Sequence, residues 1–316
     1  MKKYLGFYLL AILLLFIGVI TQDPYILHIL IILWLNIILA TSLWLIYSTG
    51  EMSLAHVSMM AIGAYSSALL VIKIGVSFWV ALPISGLIAA LFSFLIGFPA
   101  SRLKGFAFFM VTFAFAEIVM TIVSNFWQDA FGGHSGIFAI PPPSPISFAG
   151  FTLSFSSKVA QYYLGLTIMA LIVFFIHFMV KSRFGRISKA IAQADILAES
   201  IGIDVSMHKI IAFTIGGFFA GIAGSLSAHL FRVIAPLDFG INYMIMVIAF
   251  VVVGGAANIF GPIIGACFFS LLSLLLAKWG HVEVLITGMI LIVVMRFLPG
   301  GLLSFPSTLK RLKSRE

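Results

Sequence analysis

The chain has 316 residues, of which 62% are hydrophobic and only 9% charged, and its mean hydropathy is +1.20. Because about a quarter of the residues of a soluble protein are charged, this composition excludes a soluble globular domain. Several apolar runs reach the roughly 20 residues that a helix needs to cross a hydrocarbon core of about 30 Å, whereas a β-barrel has alternating segments of about 10 residues. The sequence therefore predicts an all-α polytopic membrane protein, with residues 1–316 forming a single transmembrane domain.

The apolar runs predict about ten transmembrane helices. They lie at about 4–20, 25–47, 53–72, 78–100, 105–126, 161–180, 210–231, 240–257, 262–278 and 282–298. The first follows Lys2 and Lys3 without a small-residue cleavage site, which indicates an uncleaved helix rather than a signal peptide. Gly50 and Glu51 either separate the second and third helices or interrupt one broken helix.

Few polar residues fall in these spans, and four of them are candidates for a translocation path. Glu117 lies near the middle of the fifth span, where a carboxylate is expected to face a cavity or a partner rather than lipid; a hydrogen bond between helices is the alternative. Asn36, in the second span, is equally compatible with a path and with interhelical packing. Ser53 and His56 follow the possible helix break, where unwound backbone can bind a polar substrate.

Two long loops separate the spans. Residues 127–160 contain Gly132–Gly136 and four prolines between Pro141 and Pro145, which exclude a helix there. This loop is either a linker or a docking surface for an external partner, since loops of this length are uncommon. Residues 181–209 are the second loop and hold eight of the chain's 28 formal charges.

The second loop predicts a short amphipathic helix. Starting at Arg186, the helix has one apolar face, formed by Ile187, Ala190, Ile191, Ala194, Ala198 and Ile201. Gly202 is predicted to end it, and Asp204 or Ser206 to cap the next span. The helix either lies in the lipid interface or fits a groove on a soluble partner, and its alanine-rich face favours the groove.

The distribution of basic residues predicts the orientation. If both termini are cytoplasmic, fourteen of the 18 Lys and Arg residues lie on the cytoplasmic side, and the exceptions are Lys73, Lys158, Arg232 and Lys278. The positive-inside rule therefore places loop 127–160 on the outer side of the membrane and loop 181–209 in the cytoplasm. The same pattern indicates that the net charge of +8 serves a membrane protein and not nucleic-acid binding.

Sequence signals of enzymatic chemistry are missing. The dipeptide Gly-Lys, which a P-loop requires, occurs nowhere in the chain, so ATP would have to be bound by a partner. No Gly-x-Ser-x-Gly elbow and no metal-ligand spacing is present. The glycine clusters between Gly216 and Gly265 are better explained by close helix packing.

Four stretches, in chain order, resemble the membrane permeases of branched-chain amino acid ABC importers, in particular the LivM-like branch. They are Gly50–His56 followed by Ile62–Tyr65, then Gly132–Gly136, Ser182–Arg186 continuing through Ala198–Ile203, and Gly254–Ala266. The third stretch is similar to the family's cytoplasmic coupling loop. The resemblance implies that a coupling helix receives motion from an ATPase, and we expect Arg186, Asp195, Glu199 and Gly202 to take part.

The resemblance also implies partners. We expect a second homologous permease, two cytoplasmic ATPase subunits that bind ATP and Mg, and a periplasmic or lipid-anchored solute-binding protein. This chain is then expected to hold no cofactor and to lie in the bacterial inner membrane. Because the family also contains importers of urea and short amides, the solute stays open. A proton-coupled secondary transporter using Glu117 is the alternative mechanism.

Overall fold

The computed structural model describes residues 18, 23–148, 151–276, 282–297 and 301–304. Its helices are α1 Pro24–Tyr47, α2 His56–Lys73, α3 Phe78–Ala100, α4 Phe106–Asn125, α5 Gln128–Phe131, α6 Lys158–Lys181, α7 Arg183–Gln193, α8 Asp195–Ser200, α9 Val205–Phe231, α10 Ile241–Gly254, α11 Phe260–Leu276 and α12 Val282–Phe297. Short 3₁₀ helices span Gly133–Ser135, Pro236–Phe239 and Leu302–Ser304.

Within the described residues, seven helical segments are long and apolar enough to cross a membrane, and α11 is a shorter apolar helix. The predicted helical, multi-pass architecture is therefore confirmed. The first predicted span, 4–20, lies outside the described residues except for Gly18, so the number of ten spans stays a prediction.

The second and third predicted spans are two separate helices. Asp23 caps the start of α1, where its Oδ1 accepts a hydrogen bond from the backbone N–H of Tyr25 at 2.9 Å. After α1 the chain turns at Gly50, whose φ of +91° is a conformation that L side chains rarely adopt. Residues 48–55, the α1–α2 junction, are irregular apart from this turn, and α2 begins at His56.

Helix α9 is the centre of the bundle and packs against α1, α2 and α3. Its contact with α2 is made by backbone, because a Cβ placed on Gly63 of α2 would lie 2.2 Å from the carbonyl oxygen of Gly221 of α9. Glycines also bring α10 and α11 together, since a Cβ on Gly265 would lie 2.0 Å from the carbonyl oxygen of Phe250. The prediction that the glycine clusters serve close helix packing is confirmed.

The long loop before α6 is folded against the bundle wherever it is described. It contains β1 Ile137–Phe138 and the hairpin of β2 Ile146–Phe148 with β3 Phe151–Leu153, while β1 pairs with β4 Val233–Ile234, just after α9. The proline-rich part is held by side chains from the bundle. Trp79 donates a hydrogen bond to the carbonyl of Ser144 at 2.9 Å, and Nδ1 of the buried His229 lies 2.7 Å from the carbonyl oxygen of Pro141.

The prediction of one amphipathic helix starting at Arg186 was wrong, because two helices occupy this stretch. Ser182 caps α7, and Ala194 has extended backbone (φ −162°, ψ 92°) that separates α7 from α8. We call residues 182–204, which contain both helices, the amphipathic segment. The seventh span also begins earlier than predicted, at Val205.

The end of the amphipathic segment was predicted correctly. Gly202 has a φ of +84° and ends α8 in a Schellman motif, in which Gly202 N–H donates to the Glu199 carbonyl and Ile203 N–H donates to the Ala198 carbonyl. Asp204 then caps α9, where its Oδ1 accepts from the Met207 N–H at 2.9 Å. The chain therefore stops one helix and starts the next within a few residues.

Candidate functional site

Asn36 lies in the buried centre of the bundle, where its side chain is 2% exposed. Its Nδ2 donates a hydrogen bond to Ser270 Oγ of α11 at 3.0 Å, and its Oδ1 accepts one from the Tyr243 hydroxyl of α10 at 2.7 Å. The amide therefore joins α1, α10 and α11. Of the two interpretations of Asn36, this geometry favours interhelical packing.

His56 and Ser53 lie at the α1–α2 junction and are buried. His56 Nε2 is 2.8 Å from Ser42 Oγ, and this hydroxyl donates its hydrogen to the Ile38 carbonyl. Nδ1 of the same ring is buried and has no hydrogen-bond partner within the described residues. Ser53 Oγ accepts from the Ala55 N–H at 3.1 Å, so both side chains shape the start of α2.

Glu117, the fourth predicted path residue, is not brought together with the other three. It lies on the exposed face of α4, whereas Asn36, Ser53 and His56 lie in the interior of the chain. The four residues therefore do not form one site within this chain.

A buried ion pair that the sequence analysis missed lies beneath the amphipathic segment. Lys209 Nζ is 2.8 Å from Glu51 Oε1, and the two side chains are 6% and 7% exposed. The second oxygen, Oε2, accepts a hydrogen bond from the Gly105 N–H at 3.3 Å. Glu51 thus connects the α1–α2 junction with α9 and with the start of α4.

The sequence contained a signal for this pair. Glu51 and Lys209 are opposite charges at the ends of predicted spans, on the same predicted side of the membrane, in a chain with only 28 formal charges. By position alone, Lys209 is one of the basic loop residues that indicate the orientation. A buried charge needs an opposite charge close by, and this requirement could have suggested the pairing.

A second ion pair connects the amphipathic segment to the turn between α3 and α4. Lys104 Nζ lies 2.6 Å from Asp195 Oδ2, at the first residue of α8. The hydrogen bond between them is the main cause that raises the pKa of Lys104 and lowers the pKa of Asp195. Both groups are therefore stabilised in their charged forms.

Two further contacts hold the amphipathic segment against the helices. Gly50 of the α1–α2 junction packs on α7, where an added Cβ would lie 3.2 Å from Ala192 Cα. Ser188 Oγ of α7 is 2.9 Å from His208 Nε2 of α9, and the His208 ring stacks on Phe184 with ring centroids 4.2 Å apart.

The opposite side of the amphipathic segment is exposed. Of the predicted coupling residues, Arg186, Glu199 and Gly202 are exposed, while Asp195 is partly covered by its ion pair. Three apolar side chains of the segment are also exposed, namely Ile196 (71%), Leu197 (67%) and Ile201 (75%). Ile201 is therefore not on the buried face as predicted, because the break at Ala194 turns α8 relative to α7. The buried cluster consists of Ile191, Ala198 and Val205, with Ile187 and Ile203 packed on it.

The amphipathic segment therefore has two different sides. One side contacts the α1–α2 junction, the α3–α4 turn and α9, and the Glu51–Lys209 ion pair joins the junction to α9 behind it. The other side presents charged and apolar groups to the surroundings. Chemically, this arrangement can receive a protein partner and pass its displacement to several membrane helices at once.

Comparison with known proteins identifies the family. The family model described as "Branched-chain amino acid transport system / permease component" matches residues 25–295, which is most of the chain. The chain belongs to this family. Two relatives agree with the match, and each is a "High-affinity branched-chain amino acid transport system permease protein LivM".

The LivM relative of Escherichia coli (strain K12) is 32% identical over 304 residues, which cover 90% of this chain and 69% of the relative. That of Salmonella typhimurium (strain LT2) is 31% identical over 305 residues, which cover 91% and 70%. No solved structure matches the chain. This permease is thus a multi-pass subunit of a transport system and not an enzyme.

Proposed function

We propose that this chain is the permease subunit of an ATP-driven importer that carries branched-chain or other hydrophobic amino acids by alternating access. Family membership supports the transport class, and the printed names of the LivM relatives support the solute class. A permease for urea or short amides is the alternative within the same family.

One observation carries the proposed mechanism. The amphipathic segment contacts the α1–α2 junction, the α3–α4 turn and α9 on one side, and on its other side it exposes Ile196, Leu197 and Ile201. Exposed apolar side chains of this size, next to charges, are typical of a surface that fits a groove on a protein. We assign this surface to one of two ATPase subunits, which bind ATP and Mg. Arg186 and Glu199 are exposed on the same segment, and we assign to them the charged contacts that orient it in the groove.

The remaining partners follow from the same proposal. A second homologous permease completes the membrane part, and a periplasmic or lipid-anchored solute-binding protein delivers the solute to the face that contains loop 127–160. The distribution of basic residues supports an orientation in the bacterial inner membrane with both termini in the cytoplasm. The assignment of four residues to the translocation path stays a prediction, namely Asn36, Ser53, His56 and Glu117. The hydrogen bonds of Asn36 favour interhelical packing, whereas Glu117 is exposed on α4.

The test uses the assembled transporter in proteoliposomes, with leucine as the probe solute and with ATP hydrolysis measured in parallel. Leu197→Glu places a charge in the exposed apolar group, and we expect it to abolish co-purification of the ATPase subunits and leucine import. The double variant Arg186→Ala with Glu199→Ala is expected to reduce import per ATP hydrolysed. Leu237→Glu is the control for co-purification of the ATPase subunits, since Leu237 is also highly exposed but lies in the 3₁₀ helix just after β4, which pairs with loop 127–160, away from the amphipathic segment. Import is not compared for this variant, because that face is assigned to the solute-binding protein.

Normal assembly and normal coupling in Leu197→Glu and in the double variant would overturn the assignment of the coupling surface. The proton-coupled alternative makes a different prediction. In that case an uncoupler abolishes uptake while depletion of ATP does not.

A further inference from the structure

Helix α4 has two faces of different character. One face packs on the bundle through a buried stripe made of Phe108, Thr112, Ala116, Val119 and Val123. The opposite face is exposed and carries a second stripe at steps of three and four residues. This polar stripe consists of Ala107, Met110, Ala114, Glu117, Thr121 and Asn125.

Exposed side chains elsewhere in the bundle show what a lipid-facing surface of this protein looks like. The exposed side chains of α3 are all apolar and mostly large, and they include Leu87, Leu91, Leu95 and Phe98. On α4, by contrast, a carboxylate, a hydroxyl and an amide follow one another along the polar stripe. Because α3 and α4 have similar lengths and mean hydropathies, the polar residues are a property of one face of α4 and not of the composition of the whole helix.

Glu117 is the decisive residue of the polar stripe. It lies close to the middle of α4 and has no hydrogen bond or ion pair within the described residues. A carboxylate at that depth is costly in hydrocarbon and is found facing water-filled cavities or pairing with a cation. The polar stripe therefore faces water or a cationic group rather than lipid.

Among the four predicted path residues, Glu117 is the one with an exposed side chain. The Asn36 amide is hydrogen-bonded to Ser270 and Tyr243, and His56 lies at the buried start of α2. The small side chain of Ala114, three residues before Glu117, leaves room beside it on the polar stripe.

We propose that the polar stripe of α4 lines an aqueous solute path, in which Glu117 binds the ammonium group of a zwitterionic amino acid and Thr121 and Asn125 hydrogen-bond to it or to its water. This proposal rests on the proposed import function and names its solute-binding residue. Charge complementarity selects the occupant, because a carboxylate favours an amino acid over an uncharged amide such as urea. The second permease closes the path on the side opposite α4.

The experiment uses cysteine substitution in the assembled transporter. The chain has a single cysteine, so Cys267→Ala provides the background in which Ala114, Thr121 and Asn125 are replaced by cysteine one at a time. We expect a cationic, membrane-impermeant trimethylammonium methanethiosulfonate to label these positions, and saturating leucine to slow the labelling of Thr121→Cys several-fold. Leu91→Cys, on the exposed apolar face of α3, is the matched control and is expected to stay unlabelled.

The second measurement is leucine import by Glu117 variants. Because hydrogen bonds to charged groups are among the stronger ones, we expect Glu117→Gln to lower import at limiting leucine about tenfold or more, and Glu117→Asp to recover part of it. If Glu117 binds the solute, the loss is large at limiting leucine and shrinks at saturating leucine, whereas a structural role lowers import at both concentrations. The ATPase co-purification of each variant shows whether the transporter has assembled.

Two results would overturn the proposal. If the stripe cysteines resist the impermeant reagent but cross-link to the second permease, the polar stripe is a dry helix–helix contact. If they are labelled while Glu117→Gln imports leucine like the parent, Glu117 does not bind the solute. In both cases ATP-dependent import by the parent transporter remains, so the failure of this inference is distinguishable from failure of the proposed function.

Discussion

Glu51 and Lys209 are 158 residues apart in the sequence, yet their charged groups lie 2.8 Å from each other in the interior of the protein. The pair lies where the α1–α2 junction, α9 and the start of α4 meet, directly behind the amphipathic segment. Any movement of the segment relative to the bundle therefore acts on helices that share this ion pair.

Removing one member of the Glu51–Lys209 pair leaves the other charge buried without a partner. We expect Glu51→Gln or Lys209→Met to lower the free energy of unfolding by about 3–5 kcal/mol, measured by denaturation of the detergent-solubilised protein. The double variant Glu51→Gln with Lys209→Met contains neither charge, so we expect it to be more stable than either single variant. Strictly additive effects would contradict the coupling of the two residues.

The Lys104–Asp195 ion pair fastens α8 to the α3–α4 turn. We expect Asp195→Asn to release this attachment and to speed amide hydrogen exchange in α8, while exchange in α9 changes little. Because the pair is partly exposed, salt screens it, and the parent protein at high ionic strength is expected to approach the behaviour of the variant. Insensitivity of the parent to salt would argue against the ion pair.

The pH dependence of the same attachment follows from the two pKa shifts. The lowered pKa of Asp195 means that its contribution is present above its ordinary value of 3.8 and is lost only as pH falls through the lowered pKa. The raised pKa of Lys104 means that its contribution is present below 10.5 and is lost as pH rises through the raised pKa. We expect the ratio of the α8 protection factors of the parent and Asp195→Asn to be equal at pH 6 and pH 8. A difference confined to one of these pH values would contradict this assignment.

The crossing of α2 and α9 depends on the missing side chain of Gly63. Because a Cβ there would lie 2.2 Å from the Gly221 carbonyl oxygen, Gly63→Ala forces the helices apart, and we expect a loss of about 2 kcal/mol or more in unfolding free energy. Gly288→Ala in α12 is the control, since a Cβ there meets nothing within 4 Å. Its thermal unfolding is expected to match that of the parent, and equal losses in both variants would disprove the steric explanation.

Asn36 joins three helices through its amide. Asn36→Ala leaves the Tyr243 and Ser270 hydroxyls without that partner, and we expect it to lower the unfolding free energy by about 1–3 kcal/mol. Asn125→Ala removes the same amide from the exposed face of α4 and is expected to leave stability unchanged, as measured in the same denaturation series. If Asn36→Ala is as stable as the parent and fails only in import, the path interpretation of Asn36 is favoured instead.

Much of the architecture was predictable because it depends on local composition. In the part of the chain that the structure describes, the apolar runs long enough to span a membrane form helices, since the backbone must satisfy its own hydrogen bonds in hydrocarbon. The stop at Gly202 and the cap at Asp204 were likewise predictable, because both depend on the conformational preference of one residue and on the few residues beside it. The break at Ala194 was not, since alanine favours a helix and only the packing of α7 and α8 on the bundle overrides that preference.

The candidate site likewise has features that were predictable from the sequence and features that were not. Composition and spacing are enough to predict that a few polar groups interrupt an apolar chain and that a charged, amphipathic segment lies between two spans. That Asn36 bonds within the bundle, that Glu117 faces outward from α4 and that Glu51 meets Lys209 becomes visible in the folded protein. Which way a side chain points depends on how the helices rotate and cross, and that is fixed by contacts between residues far apart in the chain, such as Gly63 with Gly221.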